Sequence, residues 1–323
     1  MHRQSNIKKL VLSPMFSLLM LLIVLILVFS IASKGIYLKP QNLFIILNSL
    51  AVPALLTAGV SFLMISGKLD LSTGANGTLC SISLAFVLQN GAPLSIALPI
   101  SLILGALLGL LNSVLVNELR FQPFIATLAT TSLMTGFIYV VANKKSIDIT
   151  DPVLKYIGSG MLFGYVPISA IISIALMVIT GIVLHKTKFG RQIYLVGGNE
   201  KAAMLSGINP KKLSYKLFAI CGVFSALAGI MLASRLQSGT IAGVTNARFQ
   251  GITAAVLGGI SFGGGAGGMA GAFVGLLVLS GFNNGLTVLG IQPYWKDVAS
   301  GLLLLFALSL DIIRTKQNMK SVA

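Results

Sequence analysis

Long apolar stretches follow one another along this chain and are separated by short polar or glycine-rich connections. Ten of them approach the roughly 20 residues that a membrane-spanning helix needs. They lie at 14–33, 42–66, 73–90, 93–116, 123–143, 165–185, 213–234, 250–262, 268–290 and 295–313. None of them alternates apolar and polar residues as the strands of a membrane β-barrel do. The pattern therefore predicts an all-α, polytopic transmembrane helix bundle of about ten spans.

Two of these stretches, 73–90 and 250–262, are short and contain several glycines. Lipid offers backbone groups no hydrogen-bond partners, so an incomplete helix is tolerated in a membrane only where protein or a water-filled cavity covers it. We therefore expect two short or broken helices in the bundle.

The composition excludes a soluble globular protein. Hydrophobic residues make up 55% of the 323 residues, charged residues make up 9%, and the mean hydropathy is +0.94, whereas soluble domains carry about a quarter charged residues. A net charge of +16 would indicate nucleic acid as the partner of a soluble protein. Here the basic residues lie between apolar stretches, so we expect lipid around the chain and no nucleic acid. With both termini in the cytoplasm, most of them fall on that side, as the positive-inside rule requires.

The start of the chain allows two interpretations. Arg3, Lys8 and Lys9 precede an apolar run that ends near Ala32, and this arrangement is also found in cleaved signal peptides. The run is longer than the roughly 7 to 15 apolar residues of a signal peptide. An uncleaved first span is therefore the better interpretation.

The connection at 186–213 carries the start and stop signals of two helices. Asn199 is a suitable N-cap, Glu200 lies where the helix dipole favours an anion, and Gly207 can take the left-handed conformation that ends a helix. Asn209 then caps a second helix, which can continue into the next span. A short helix of small and apolar residues outside the bilayer suits docking into a groove on a partner protein. The alternative is a tight turn that faces lipid.

Five segments, in order along the chain, carry a resemblance to a known family. They are Leu-Asp-Leu-Ser-Thr-Gly at 69–74, Gln-Pro-Phe-Ile-Ala-Thr-Leu at 122–128, the connection at 186–208, Ala-Ala-Val-Leu-Gly-Gly-Ile-Ser at 254–261 and Asn-Asn-Gly-Leu at 283–286. Together they resemble the permease subunits of ribose-type sugar ABC importers, and the resemblance covers nearly the whole chain.

The resemblance implies a multi-pass protein of the bacterial inner membrane, with one permease domain over 1–323 and both termini in the cytoplasm. It implies three protein partners: a second permease copy, identical or related, an ABC ATPase subunit, and an extracytoplasmic substrate-binding protein. The ATPase would bind ATP and Mg²⁺, and this chain would have no cofactor and no catalytic residue. The residues implied for ATPase coupling are Lys188, Phe189, Gly190, Arg191, Gly197, Gly198, Asn199, Glu200, Ala202, Ala203, Leu205, Gly207 and Ile208.

Other features agree with a transport subunit that draws its energy from a partner. The sequence contains no G-x-x-x-x-G-K-[ST] motif for ATP. The acidic residues lie at span ends or in connections, whereas ion-coupled carriers usually hold them inside the membrane. They are Asp70, Glu118, Asp148, Asp151, Glu200, Asp297 and Asp311. A secondary transporter or channel that works alone is the alternative. An enzyme has no support, because the only histidines, His2 and His185, are expected near the cytoplasmic surface and the sequence has no intramembrane acid pair or Cys/His ligand cluster. Cys80 and Cys221 lie in apolar stretches and are expected to be buried free thiols.

Polar groups inside the spans are candidates to hydrogen-bond a passing solute. The residues proposed for the substrate pathway are Asn48, Asn112, Gln122, Phe124, Thr127, Thr130, Asn283 and Asn284. For each of the polar ones, hydrogen bonding between helices is the alternative. Because these groups are neutral, we expect a small hydroxylated solute of the monosaccharide class. The sequence leaves open whether this solute is a pentose, a hexose, a polyol, a nucleoside or a furanose-like signal.

Asp70, Ser72 and Gly74 lie at the mouth of the third span, where we expect a helix cap or a gate. An ion pair between Asp70 and Lys68 is another local explanation, and direct contact with substrate is a weaker alternative. The glycine run 263–268 could bind an anion through its amides. Close helix packing or a flexible turn is the favoured interpretation of this run.

Two features depart from the ribose-type pattern. Arg248 and Gln250 stand where that family commonly has acidic residues, and Lys68 adds a positive charge ahead of the Leu-Asp-Leu-Ser segment. These departures leave open a substrate or a binding protein other than that of a ribose importer.

Overall fold

The computed structural model describes residues 14–244 and 247–320, which contain thirteen helices and four two-residue strands. The helices are α1 Pro14–Ala32, α2 Pro40–Ile65, α3 Thr73–Gln89, α4 Leu94–Asn117, α5 Pro123–Val141, α6 Pro152–Ser159, α7 Ile168–Lys186, α8 Lys188–Gly198, α9 Glu200–Leu205, α10 Pro210–Leu236, α11 Ala247–Leu257, α12 Met269–Val288 and α13 Pro293–Lys320. The strands are β1 Ile147–Asp148, β2 Met161–Leu162, β3 Val166–Pro167 and β4 Ser238–Gly239. β1 pairs with β4 and β2 with β3, both antiparallel. The prediction of an all-α bundle is confirmed.

Seven of the described helices are long and apolar enough to cross a membrane: α1, α2, α4, α5, α7, α10 and α12. The chain is therefore a multi-pass membrane protein. α3 and α11 cover the two stretches that were predicted to be short, and they contain 17 and 11 residues. At 1.5 Å per residue they span about 25 and 16 Å, less than the roughly 30 Å of a bilayer core. The seven helices do not by themselves establish the predicted count of about ten.

Some of the predictions concern residues outside the described part of the chain. These are Arg3, Lys8 and Lys9 ahead of the first span, together with the side chains of Asp297 and Asp311 in α13.

α10 lies at the centre of one group of helices, where it contacts α2, α3, α4 and α6. Gly222 of α10 faces Gly105 of α4, and a Cβ on Gly105 would lie 2.6 Å from the Gly222 carbonyl oxygen. Small residues at such contacts let helix backbones touch, which is how helices associate where lipid removes the usual hydrophobic driving force. Cys80 and Cys221 are buried free thiols within this group, as expected.

A second group forms around α12, which contacts α1, α2 and α11. Tyr37, in the short 3-10 turn Ile36–Leu38 after α1, donates a hydrogen bond from its hydroxyl to Gly281 O at 3.1 Å. α2 contacts both α10 and α12, so it joins the two groups of helices.

Candidate functional site

The α7–α10 connection, residues 187–209, contains the capped helix predicted from the sequence. Asn199 Oδ1 accepts a hydrogen bond from Ala202 N at 3.0 Å at the start of α9. Gly207, just beyond its end, has a φ of +80°, a conformation that favours glycine. Asn209 caps α10 in the same way. The predicted start and stop signals are therefore confirmed.

α8 precedes this helix and was not predicted. Thr187 Oγ1 caps it by accepting a hydrogen bond from Gly190 N at 3.1 Å. Its apolar residues Ile193 and Val196 are buried against the bundle. Burial of this apolar face stabilises the helix in spite of the low helix propensity of its glycines.

α9 presents an apolar surface away from the bundle. Leu205 is 91% exposed, and Met204 and the nearby Leu195 are each about half exposed. A cluster of large exposed apolar side chains indicates contact with another molecule. Ala203 is only 2% exposed and packs inward, so it supports α9 instead of contacting a partner.

The residues that the resemblance assigns to ATPase coupling divide by exposure. Lys188, Arg191, Gly198, Asn199, Glu200, Ala202, Leu205 and Gly207 are exposed; Phe189, Gly197 and Ile208 are half-buried; Gly190 and Ala203 are buried. The exposed residues can touch a partner as the segment stands, and the buried ones hold it in place.

Lys68, which follows α2, connects the end of α4 to the start of α10 through hydrogen bonds. Its Nζ donates hydrogen bonds to Asn117 Oδ1 at 3.0 Å and to Ser214 Oγ at 2.7 Å. The ion pair with Asp70 that the sequence suggested does not form between these two described residues. Burial lowers the pKa of Lys68, and the negative charge of Glu200 opposes this shift only in part.

Glu118 makes a second attachment at the end of α4. Its carboxylate accepts hydrogen bonds from Lys211 Nζ and from the Tyr215 hydroxyl, each at 2.6 Å. The hydrogen bond from Lys211 lowers the pKa of Glu118. Because this pair is exposed to solvent, it contributes little to stability. It does fix the first turn of α10 against α4.

The glycine run 263–268 packs beneath the α7–α10 connection. Gly265 N donates to Ile65 O at 2.8 Å, and the Tyr194 hydroxyl donates to Gly267 O at 2.7 Å. Gly265 and Gly267 have φ values of +71° and +101°, which side-chain-bearing residues rarely adopt. These contacts agree with the favoured interpretation of close packing.

Asp70 lies in a closed network of neutral groups at the same end of the bundle. Its Oδ1 accepts hydrogen bonds from Ser72 N at 2.8 Å and Ser72 Oγ at 2.6 Å, and Asn112 Nδ2 lies 3.3 Å from its Oδ2. Thr130 Oγ1 donates to Asn112 Oδ1 at 2.7 Å, and Thr127 Oγ1 accepts from the backbone amide that follows Asp70. All five side chains are buried. Asn112, Thr127 and Thr130 therefore tie α4 and α5 to the start of α3.

The carboxyl group of Asp70 is completely buried. Burial raises its pKa, and the hydrogen bonds from Ser72 and Asn112 oppose that rise. Among the described residues no basic side chain pairs with it. Gly74 lies in the first turn of α3, where its carbonyl accepts from Thr78 Oγ1 at 2.8 Å. Asp70 thus caps a turn directly ahead of α3. The N-cap residue of α3 itself, Ser72, makes no side-chain capping hydrogen bond within residues 14–244, so the helix cap predicted here does not form.

A polar cavity of about 310 Å³ lies between α2, α11, α12 and α13. Its lining residues are Ile45, Ser49, Gln250, Ser280, Asn283, Asn284, Thr287, Pro293, Lys296 and Ser300. The cavity lies toward the opposite ends of α2 and α12 from the α7–α10 connection. Lys296 and Ser300 of α13 were not predicted, because nothing in the sequence indicates which face of that helix turns inward.

The two asparagines in this cavity differ in their freedom to bind a solute. Asn284 exchanges two hydrogen bonds with Asn42, at 2.9 and 3.0 Å, so its amide is satisfied by the protein. Asn283 Oδ1 accepts from Ser300 Oγ at 3.2 Å. Its Nδ2 has no hydrogen-bond partner in the described part of the chain and can donate to a solute.

The remaining pathway candidates lie elsewhere. Asn48 Oδ1 accepts from Ser169 Oγ at 3.2 Å and thereby joins α2 to α7. Gln122 and Phe124 are exposed at the start of α5. The eight candidates therefore do not form one site: they divide between the Asp70 network, the polar cavity and separate surface or interhelical positions.

The fold and these sites define a multi-pass membrane protein with an exposed apolar segment at one end and a polar cavity toward the other. A family model described as branched-chain amino acid transport system / permease component matches residues 42–308. Ribose import permease protein RbsC of Bacillus subtilis (strain 168) is 36% identical over 292 residues, 90% of each chain. Probable ABC transporter permease protein YphD of Escherichia coli (strain K12) is 35% identical over 305 residues, 94% of this chain and 91% of that one.

Autoinducer 2 import system permease protein LsrC of Escherichia coli O9:H4 (strain HS) is 34% identical over 282 residues, 85% of this chain and 80% of that one. No solved structure matches the chain. The chain belongs to the ribose-type family of ABC importer permeases.

Proposed function

We propose that the chain is the transmembrane permease subunit of a bacterial ABC importer for a small neutral hydroxylated solute of the monosaccharide class. The observation that carries the proposal is the placement of the exposed apolar α9 at one end of the bundle and the polar cavity toward the other, with α2 and α12 running between them. Such an arrangement suits a subunit that receives energy at one face and acts on a solute at the other. No bond is made or broken by this chain.

The orientation follows from charge. Ten crossings result when α13 and the segments that contain the short helices α3 and α11 are added to the seven long helices. Both termini then lie in the cytoplasm. Lys68, Arg120, Lys186 and Lys188 then lie on the cytoplasmic side together with the α7–α10 connection, as the positive-inside rule favours. The polar cavity lies toward the outer side, where an extracytoplasmic binding protein delivers the solute.

Three protein partners complete the importer. An ABC ATPase subunit, which binds ATP and Mg²⁺, docks on the exposed residues of the α7–α10 connection. A second permease copy, identical or related, encloses the pathway. The binding protein delivers solute from outside. Support comes from relatives named as import permeases for ribose and for autoinducer 2, which also disfavour a transporter that works alone.

The polar cavity suits a solute rich in hydroxyl groups. Its lining offers amide and hydroxyl groups that both donate and accept hydrogen bonds, and Lys296 is the one charged residue among the lining positions. Lys296 Nζ donates to Thr287 Oγ1 at 2.8 Å, so part of its hydrogen-bonding capacity is used within the protein.

Replacement of Asn283 by Leu is expected to lower solute uptake about tenfold at limiting solute concentration, because one hydrogen bond of about 1.4 kcal/mol is lost. The measurement is uptake of labelled pentoses and hexoses by proteoliposomes that contain the permease, its ATPase and its binding protein. Asn48→Leu is the matched control, since Asn48 lies outside the cavity. Uptake at the wild-type rate by Asn283→Leu would remove the polar cavity from the pathway.

A further inference from the structure

Three segments of backbone meet directly beneath α9. Gly197 of α8 lies against the end of α2, where a Cβ on Gly197 would overlap the carbonyl oxygen of Ile65 and lie 2.6 Å from Gly265 N. Gly265 N in turn donates its hydrogen bond to the same Ile65 oxygen at 2.8 Å. We call Gly197, Gly265 and Ile65 the glycine junction. No side chain separates its three backbones, so a displacement of one segment cannot be absorbed by a change of rotamer.

A second contact joins the same elements. The Tyr194 hydroxyl of α8 donates to Gly267 O at 2.7 Å, and the Tyr194 ring stacks on His185 with centroids 6.3 Å apart. A Cβ on Gly268 would lie 2.9 Å from His185 Nε2. α8 therefore holds the loop between α11 and α12 at two points.

Three helices that start or end near the glycine junction, α2, α11 and α12, line the polar cavity together with α13. Ile65 ends α2, and Ser49 on the same helix lies sixteen residues back, about 24 Å away at 1.5 Å per residue. The loop that contains Gly265 joins the end of α11 to the start of α12, and these helices contribute Gln250 and Asn283 to the cavity. α10 continues directly from the α7–α10 connection but contributes no residue to the cavity lining.

We infer that the glycine junction is the contact through which movement of the α7–α10 connection reaches α2, α11 and α12, and through them the polar cavity. This inference rests on the proposed function, because it assumes that a partner moves α9. Helices transmit displacement along their axes as stiff elements. α10 does not line the cavity and reaches it only indirectly, through its packing against α2. The packed contact at Gly197 instead touches both the end of α2 and the loop between α11 and α12.

The test compares two helical glycines. Gly197→Ala places a methyl group into the junction, whereas Gly136→Ala, in α5 and outside both the α7–α10 connection and the polar cavity, places one where no atom lies within 4 Å. In proteoliposomes with the ATPase and the binding protein, Gly197→Ala is expected to retain the ATPase but to move at least tenfold less solute per ATP hydrolysed. Gly136→Ala is expected to stay within twofold of the wild-type ratio.

A second pair of variants, with a smaller structural change, tests the inference if Gly197→Ala does not fold. Tyr194→Phe removes one hydroxyl and its hydrogen bond to Gly267 without adding volume, and it is expected to lower the same ratio two- to fivefold. Tyr156→Phe, at an exposed tyrosine of α6, is expected to leave the ratio unchanged.

The outcomes separate the two proposals. Wild-type solute-to-ATP ratios in Tyr194→Phe and in a folded Gly197→Ala would overturn the inference and leave the permease function standing. A wild-type chain that neither retains an ATPase nor takes up solute would overturn the proposed function, and the inference with it.

Discussion

Replacement of Leu205 by Asp is expected to detach the ATPase subunit from the permease. Leu205 is 91% exposed at the end of α9, and full burial of a leucine side chain is worth about 2 kcal/mol. Loss of that contact weakens association by about 30-fold, and the buried carboxylate adds a desolvation cost. The measurement is the amount of ATPase that copurifies with the permease in detergent.

Phe163→Asp is the matched control for this change. Phe163 is 85% exposed in the turn between β2 and β3, away from α9. Replacing this exposed apolar side chain by a carboxylate is expected to leave the amount of copurified ATPase unchanged. Equal ATPase retention by Leu205→Asp and wild type would show that α9 does not dock as proposed.

Replacement of Asp70 by Ala is expected to lower the free energy of unfolding by about 3 kcal/mol. The change removes the acceptor of hydrogen bonds from Ser72 N and Ser72 Oγ, and a buried donor left without a partner costs about 1 to 3 kcal/mol. Asp70→Asn keeps one oxygen for Ser72 N and is expected to cost much less. Thermal unfolding of both variants and the wild type in the same detergent checks that Asp70→Ala is the less stable variant. Equal unfolding midpoints for Asp70→Ala and wild type would contradict the prediction.

The pH dependence gives a second readout on Asp70. Because burial raises its pKa in the folded protein, the folded state binds this proton more tightly than the unfolded chain does. The contribution of Asp70 to the free energy of unfolding is therefore highest below the ordinary carboxyl pKa. It falls as the pH rises through the pKa that Asp70 has in the folded protein. Asp70→Asn is expected to remove this part of the pH dependence, so an unchanged profile would contradict the assignment.

The helices of the bundle could be predicted because lipid forces apolar stretches to form regular structure. The short third and eighth stretches correspond to α3 and α11, and the cap signals at Asn199 and Gly207 correctly located α9. α8 was not predicted because its three glycines disfavour a helix. The N-cap residue Thr187 and the helical spacing of the buried Ile193 and Val196 are the local signals that could have indicated it.

The candidate site was less predictable than the fold. Spacing along the chain placed Asn112 and Thr130 among pathway residues, but the approach of α4 and α5 to the start of α3 brings both into the Asp70 network. Lys68 lies two residues from Asp70 in sequence, yet its side chain reaches Asn117 and Ser214 instead. Asn283, which was predicted for the substrate pathway, lies in the polar cavity, whereas the contribution of α13 depends on a helix packing that the sequence does not encode locally.

The most direct measurement is uptake of labelled sugars by proteoliposomes with the permease alone, with the ATPase added, and with the ATPase and the binding protein together. Accumulation of sugar is expected only in the last case and only while ATP is hydrolysed. Solute movement at the same rate through the purified permease without an ATPase would contradict this expectation.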